Sequence, residues 1–244
     1  MPSPLRPLLN ALFAPPWTAV MVTGAVGAAG ITGDGDLFRR MERVWAKGLT
    51  RVWGVDVEVF GAENIDPAQS CVIMSNHASH VDIVALFLAL PVVPGFLAKS
   101  ELDKVPFLSA ALRAGGHVVI DRGKHASAVE TLKAAADEVR GGKTIAVFPE
   151  GTRGDSATVG KFKKGGFHVA KAACVPIVPV GVRGSRDVLP KHGRLLMPGR
   201  VEVHIGKPIS AADVVATPID ELVARTRAEV IALSAMPARE SVQG

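Results

Sequence analysis

The first thirty-odd residues and the rest of the chain follow different patterns. From Pro7 to Gly33 no residue carries a charge, in the run PLLNALFAPPWTAVMVTGAVGAAGITG. As one helix this run is long enough to cross a bilayer core. Pro15-Pro16 interrupts it, and Gly24, Gly27, Gly30 and Gly33 weaken its second half. The pattern predicts a helical hairpin dipping into one leaflet, or an interfacial helix pair, ahead of a straight span. A buried core helix and a cleaved signal peptide are the remaining readings. The next stretch, DLFRRMERVWAKGLTRVWG, places Leu37, Met41, Val44, Trp45, Gly48, Leu49 and Val52 at helical spacing, with cations on the other side. This is a basic amphipathic helix. It either packs on the domain or lies on a membrane surface, where Trp45 and Trp53 would suit the headgroup level.

From Val55 onward the period switches back and forth. Strand-like runs are VDVEVFG, CVIMSN, GFLAK, GHVVIDR, TIAVFPE, VPIVPVGV and RVEVHIG. Between them fall helical patterns over Ser79–Leu90, Pro106–Ala114, Lys124–Arg140, Lys164–Ala173 and Ile219–Ser234. Such alternation predicts an α/β fold with a mostly parallel mixed sheet covered by helices, and ligands at the carboxyl ends of the strands. Two regions follow: an N-terminal anchoring helical segment, 1–53, and one α/β domain, 54–244. No internal repeat or low-complexity linker appears, and the tail from Met236 reads as polar and frayed.

Composition narrows the partners. Of 244 residues, 48% are hydrophobic, which is high for an ordinary soluble domain yet too broken by charge for a polytopic membrane protein. A net charge of +5 favours anionic partners: phospholipid headgroups, phosphorylated metabolites or acidic carrier proteins. With no Tyr and no interleaving of aromatic and basic residues, nucleic acid is not among the expected partners. Only Arg6 precedes the uncharged run, while Arg39, Arg40, Arg43 and Lys47 follow it, so the domain is expected on the cytoplasmic side. Cys71 and Cys174 each open an apolar run and read as buried strand thiols without metal-site or redox-pair spacing.

Candidate chemistry gathers where strands end. SNHASHVD leaves an apolar strand and enters an apolar helix, carrying His77 and Asp82. Their separation of five residues would set them about 140° apart on one straight helix. With His77 in the preceding turn and Asp82 one turn inside, the ring can fold back to the carboxylate. Asp82 would then hold Nδ1–H and leave Nε2 as a base. His80 reads as helix surface. A second strand runs into VFPEGTR, where Glu150 and Arg153 emerge together. Arg153 offers a planar fork for phosphate, and Gly151 permits close backbone approach to a ligand. Lys99 and the Asp121–Arg122 pair close two further strand runs. KFKKGG, Lys161 to Gly166, is a basic loop ahead of a helix, suited to anionic lipid or to solvent. GGKT at Gly141–Thr144 is not a P-loop, because Asp137 stands where glycine is needed. The spaced glycines of Gly24–Gly30 follow no strand and make no dinucleotide fingerprint. G-x-S-x-G is absent, so no covalent serine acyl-enzyme is indicated.

Taken together, these residues resemble the PlsC-like group of glycerophosphate and lysophospholipid acyltransferases. NHASHVD resembles its NHxSxxD block, AKSELDKVPF with GHVVIDR its second, FPEGTR its third, followed by FKKGG, and VPIVPV its fourth. The four ordered blocks span Asn76 to Val180. The resemblance implies a glycerol-3-phosphate acyltransferase-like fold and O-acyl transfer from acyl-CoA or acyl-carrier protein to a lyso-glycerolipid hydroxyl. The first candidate is 1-acylglycerol-3-phosphate, giving phosphatidic acid. Another lyso-lipid acceptor, a lipid or thioester hydrolase and an idle lipid-binding protein are the alternatives. It further implies that His77 is the base and Asp82 its orienting acid, with Asn76 and Ser79 supporting their loop. Lys99, Glu150, Gly151, Thr152 and Arg153 are implied to bind the acceptor, with Arg122 in support, and Pro176 to serve the donor or the fold. No cofactor and no metal are expected, and the location implied is the cell membrane, with the active site on the cytoplasmic side.

Overall fold

The computed structural model describes residues 5–32, 35–99, 115, 117–120, 125–154, 158–193 and 195–236. Among the described residues, seven strands form one sheet: β1 (Val55–Phe60), β2 (Val72–Ser75), β3 (Gly95–Lys99), β4 (Val118–Ile120), β5 (Ile145–Val147), β6 (Ile177–Arg183) and β7 (Gly199–Ile205). Their order is β1-β7-β6-β2-β5-β3-β4. Every neighbouring pair is parallel except β6 with β7, which run antiparallel. The α/β fold with a mostly parallel sheet is thus as the alternating pattern indicates. Each of the seven apolar runs supplies one strand.

The centre of the sheet shows why these runs read as continuous apolar stretches. Val72, Ile73 and Met74 of β2 are all fully buried. Ile73 faces one core layer with Ala146, Val178 and Val180, while Val72 and Met74 face the other with Ile145, Val147 and Ile177. Helices α1 (Leu5–Thr32), α2 (Gly35–Trp53) and α3 (Val81–Ala89) belong to the first side. Helices α4 (His125–Arg140), α5 (Gly165–Ala173), α7 (Ala211–Ala216) and α8 (Ile219–Ser234) cover the second, and the short α6 (Ser185–Val188) adjoins β7. The predicted helix over Pro106–Ala114 lies outside the described residues. The six-residue α7 was not legible from periodicity. Its N-cap is Ser210, whose Oγ accepts from the Asp213 N–H at 3.1 Å.

The N-terminal segment departs from expectation in several ways. Pro15 and Pro16 do not break it; α1 is one helix of 28 residues. It lies antiparallel on α2, and tertiary contacts override the local cost of the prolines. The Trp17 ring lies against Gly48, where even a Cβ would come within 2.6 Å of it. Trp17 Nε1–H donates to the Trp45 carbonyl at 3.1 Å, and Trp45 Nε1–H donates to Thr18 Oγ1 at 3.0 Å. Trp45 and Trp53 are therefore partly buried against the core rather than displayed at a headgroup level. Among the described residues no helix is long and apolar enough to cross a membrane. The uncharged run is therefore one helix and not a hairpin, and it pairs with the amphipathic α2 that follows it.

Within α2 the buried face is Phe38, Ala46, Leu49 and Thr50, and Val44 points outward. One basic residue of this helix is structural. Arg43 donates through Nε to the Phe87 carbonyl at 3.2 Å and through Nη2 to the Leu90 carbonyl at 2.7 Å, satisfying the C-terminal end of α3. Glu42, on the same helix, is largely covered by His117. His117 Nε2 lies 2.8 Å from Glu42 Oε1, and its Nδ1 accepts the Phe96 N–H at 2.9 Å. Desolvation holds the Glu42 carboxyl above its ordinary range, with the His117 hydrogen bond opposing that shift. The cysteines also differ from one another. Cys71 is buried before β2, and burial pushes its thiol up to about 11. Cys174 is exposed and is not a strand residue. It ends α5 in the left-handed conformation at φ 54°, because the chain must turn there before β6 can begin.

Candidate active site

The site is built where β2 and β5 end side by side. Met74 pairs with Val147, so the residues that leave the two strands emerge as neighbours. Behind β2, the Asn76 side chain behaves like one more strand residue. It donates Nδ2–H to the Val182 carbonyl at 2.9 Å and accepts the Val182 N–H on Oδ1 at 2.8 Å. This pins the chain to β6 one residue before His77. The turn that follows is wrapped around the Asp82 carboxylate, which is fully buried near the start of α3. Its Oδ2 accepts the N–H groups of Ala78 and Ser79, each at 2.8 Å, and lies 2.9 Å from His77 Nδ1. Ser79 Oγ accepts the Val81 N–H at 3.2 Å and donates to the Leu189 carbonyl at 2.7 Å.

These contacts explain how a spacing that fails on a straight helix succeeds here. His77 precedes α3 in an irregular turn, and the buried carboxylate draws the turn inward. Oδ2 acts only as an acceptor towards its two backbone partners, so the ring joins it as the Nδ1–H donor. That leaves the lone pair on Nε2. The ring is mostly covered, with 12% of the side chain exposed, and it stacks on Phe148. Such a nitrogen can take a proton from an alcohol held beside it.

Glu150 joins separate segments through both carboxylate oxygens. Its Oε1 accepts the backbone N–H of His77 at 2.9 Å, and its Oε2 accepts that of Gly160 at 2.8 Å. Desolvation raises its pKa, and the two backbone hydrogen bonds oppose the rise. Glu150 is thus a clasp between the two strand ends and the loop at Gly160. Arg227 of α8 holds that loop from the other side, donating from Nε to the Gly160 carbonyl and from Nη2 to the Val159 carbonyl, both at 2.7 Å. Gly151 sits at φ +76°, a backbone that favours glycine, and a Cβ there would meet Lys163 Nζ at 2.9 Å. Lys163 in turn donates its backbone N–H to the Pro149 carbonyl at 2.8 Å. The basic loop therefore lies over the PEGTR turn.

Arg153 belongs to the same edge as His77. The next residue, Gly154, donates its N–H to the His77 carbonyl at 2.8 Å. Arg153 Nη1–H donates to the Lys191 carbonyl at 2.9 Å. The pKa of His80 is lowered, first by desolvation and then by the charge of Arg153, with the Asp82 carboxylate opposing the shift. His80 is exposed, as expected, but it faces this site. Thr152 is exposed. The backbone of Lys99 ends β3, level in register with the end of β2 and two strands away, roughly 10 Å at ordinary strand spacing. Arg122 lies outside the described residues. Pro176 sits at the opposite, amino-terminal end of β6, where its carbonyl accepts the Val72 N–H at 3.0 Å. Its place speaks for the fold and not for contact with the reacting groups. The partners in the loop at Leu189–Lys191 and at Gly160 carry no signal in the sequence, because each is joined to the site by a backbone atom, and Arg227 is missed because its side chain meets only backbone carbonyls.

Comparison with known proteins agrees with this geometry. A family model described as Acyltransferase matches residues 56–183, more than half of the chain. The 1-acyl-sn-glycerol-3-phosphate acyltransferase of Saccharomyces cerevisiae is 35% identical over 182 residues, covering 73% of this chain and 59% of that protein. The chain therefore spans about three-fifths of the yeast relative's length. The alpha form from Ovis aries is 30% identical over 200 residues, 79% of this chain and 68% of the relative. The human alpha form is 29% identical over 218 residues, 86% and 75%. Among solved structures, the 1-acyl-sn-glycerophosphate (LPA) acyltransferase PlsC from Thermotoga maritima superposes with a TM-score of 0.82 at 26% identity, covering 97% of this chain and 98% of that one. With its His-Asp turn, its clasped PEGTR loop and these relatives, the chain belongs to the acyltransferase family.

Proposed function

We propose that the chain transfers a fatty acyl group from acyl-CoA or acyl-carrier protein to the free hydroxyl of 1-acylglycerol-3-phosphate, giving phosphatidic acid. The observation that carries this reading is the 2.9 Å contact between His77 Nδ1 and a buried Asp82 carboxylate that two backbone N–H groups also hold. His77 Nε2 takes the proton of the acceptor hydroxyl as its oxygen attacks the thioester carbonyl. The tetrahedral intermediate collapses, the C–S bond breaks, and the proton passes to the leaving sulfur. No covalent acyl-enzyme is needed, since the alcohol itself is the nucleophile. Arg153 and Lys99 bind the acceptor's phosphate and so set its hydroxyl against Nε2, a proximity effect. The net charge of +5 favours this anionic acceptor.

The α1–α2 pair is the membrane-facing element of this proposal. Leu12, Val20 and Val44 are 65, 66 and 53% exposed on it, an unusual display of apolar side chains for a helix pair so well packed on its other side. Acceptor and product both partition into lipid, so a site beside the bilayer surface meets them where they are concentrated. The cations that follow α1 favour a cytoplasmic location for the domain in this proposal.

Three outcomes are expected. His77→Ala lowers kcat by roughly 10²–10⁴-fold in an assay of labelled acyl-CoA with 1-acylglycerol-3-phosphate, with the circular dichroism spectrum unchanged. Activity retained by that variant, or free fatty acid formed in place of phosphatidic acid by the wild type, contradicts the proposal. Arg153→Ala raises the KM for the acceptor by about tenfold or more and leaves the donor KM within about twofold; equal rises speak against a phosphate role. Leu12→Glu combined with Val20→Glu lowers the fraction that sediments with phospholipid vesicles while turnover of detergent-dispersed acceptor is kept. Unchanged sedimentation would move the lipid contact elsewhere.

A further inference from the structure

The ring of Phe148, the first residue after β5, lies face to face with the imidazole of His77. Their centroids are 4.0 Å apart and their planes differ by 13°. The register of β2 and β5 produces this contact, since both chains leave the sheet at adjoining positions. Phe148 is not loosely placed. Phe96 of β3 stacks with it at 5.8 Å and 22°, and Phe87 of α3 meets Phe96 edge-on at 5.4 Å and 77°. The aromatic group that includes Phe148 is therefore packed into the body of the domain.

A single hydrogen bond through Nδ1 fixes one point of the imidazole and leaves the ring free to tilt about it. A flat neighbour against its face removes that freedom. An aromatic face also carries partial negative charge, so it attracts a cation in a way that an aliphatic side chain does not. The ring of His77 is neutral before proton transfer and cationic after it. An attraction that acts only on the cation stabilises the transition state over the ground state.

We propose that Phe148 is a positioning residue for His77, whose ring face sets the plane of the imidazole and stabilises the imidazolium formed as the acceptor hydroxyl loses its proton. This rests on the function proposed above, with His77 as base. In the step concerned, the proton moves from the hydroxyl to Nε2 while the oxygen bonds to the thioester carbonyl carbon. The C–S bond then breaks and the proton leaves Nε2 for the thiolate, ending the interaction of the cation with the ring.

The test uses the full chain with Phe148→Leu, Phe148→Tyr and His77→Ala, assayed for acyl transfer across pH. Leucine keeps an apolar neighbour and removes the π face; tyrosine keeps the face. Phe148→Leu is expected to lower kcat by about three- to thirtyfold and to leave both KM values within about twofold. The acidic limb of the kcat–pH profile moves roughly half a unit to lower pH, as loss of a cation-stabilising group requires. Phe148→Tyr restores most of kcat and the profile. Should the leucine variant lack a cooperative melting transition, Phe148→Met replaces it with the same expectation. Wild-type kcat and profile in the aliphatic variant, or a loss that tyrosine does not restore, overturns the proposal. Activity in His77→Ala would overturn the base assignment instead, while an inert His77→Ala beside a fully active Phe148→Leu would overturn only the role of the stack.

Discussion

The arrangement of the site depends on one buried carboxylate. Asp82 is removed from solvent, and such a charge is costly unless donors surround it. Here the donors are the Ala78 and Ser79 N–H groups and the His77 ring, all converging on Oδ2. The same three hydrogen bonds that hold Oδ2 also shape the turn and fix the ring's tautomer, while the buried Oδ1 has no partner among the described residues. Folding and the proposed chemistry are therefore not separable at this point: the turn has this form because the acid is there, and the imidazole has its orientation because the turn has this form.

Around that centre the protein uses backbone atoms to join distant segments. Glu150 ties the His77 amide to the Gly160 amide, Gly154 returns to the His77 carbonyl, and Asn76 extends β2 onto β6. The loop beyond α6 is held by Ser79 and Arg153 through the carbonyls of Leu189 and Lys191. Strand ends that would otherwise be separate turns become one edge of the sheet. That edge is where a parallel sheet places a ligand site, because the strands end together while the helices that follow diverge from it.

Much of this was legible in the sequence, for a physical reason. Fully buried parallel strands read as uninterrupted apolar runs, so CVIMSN and VPIVPVGV announced β2 and β6 without ambiguity. The ordered His, Asp, Glu and Arg positions followed from where those runs stop. What was not legible depends on tertiary contact. Pro15 and Pro16 carry a local helix-breaking preference that packing against α2 overrides. Arg43 reads as one of the cations on the polar side of a basic helix, yet it closes the end of α3, and the neighbouring Glu42 is largely covered by His117. Cys174 opens an apolar run but is spent on a left-handed helix end. Glu150 carries a carboxylate that suits substrate binding, and only coordinates reveal that backbone amides occupy both of its oxygens.

The most direct test of the central claim is the nitrogen NMR spectrum of the His77 ring in protein carrying labelled histidine, assigned by comparison with His77→Ala. The account requires Nδ1 to carry the hydrogen and Nε2 to carry the lone pair in the neutral ring, with the Nδ1 resonance perturbed when Asp82 is changed to Asn. A neutral ring protonated on Nε2 would contradict it, since that nitrogen would have no capacity to accept a proton from an alcohol.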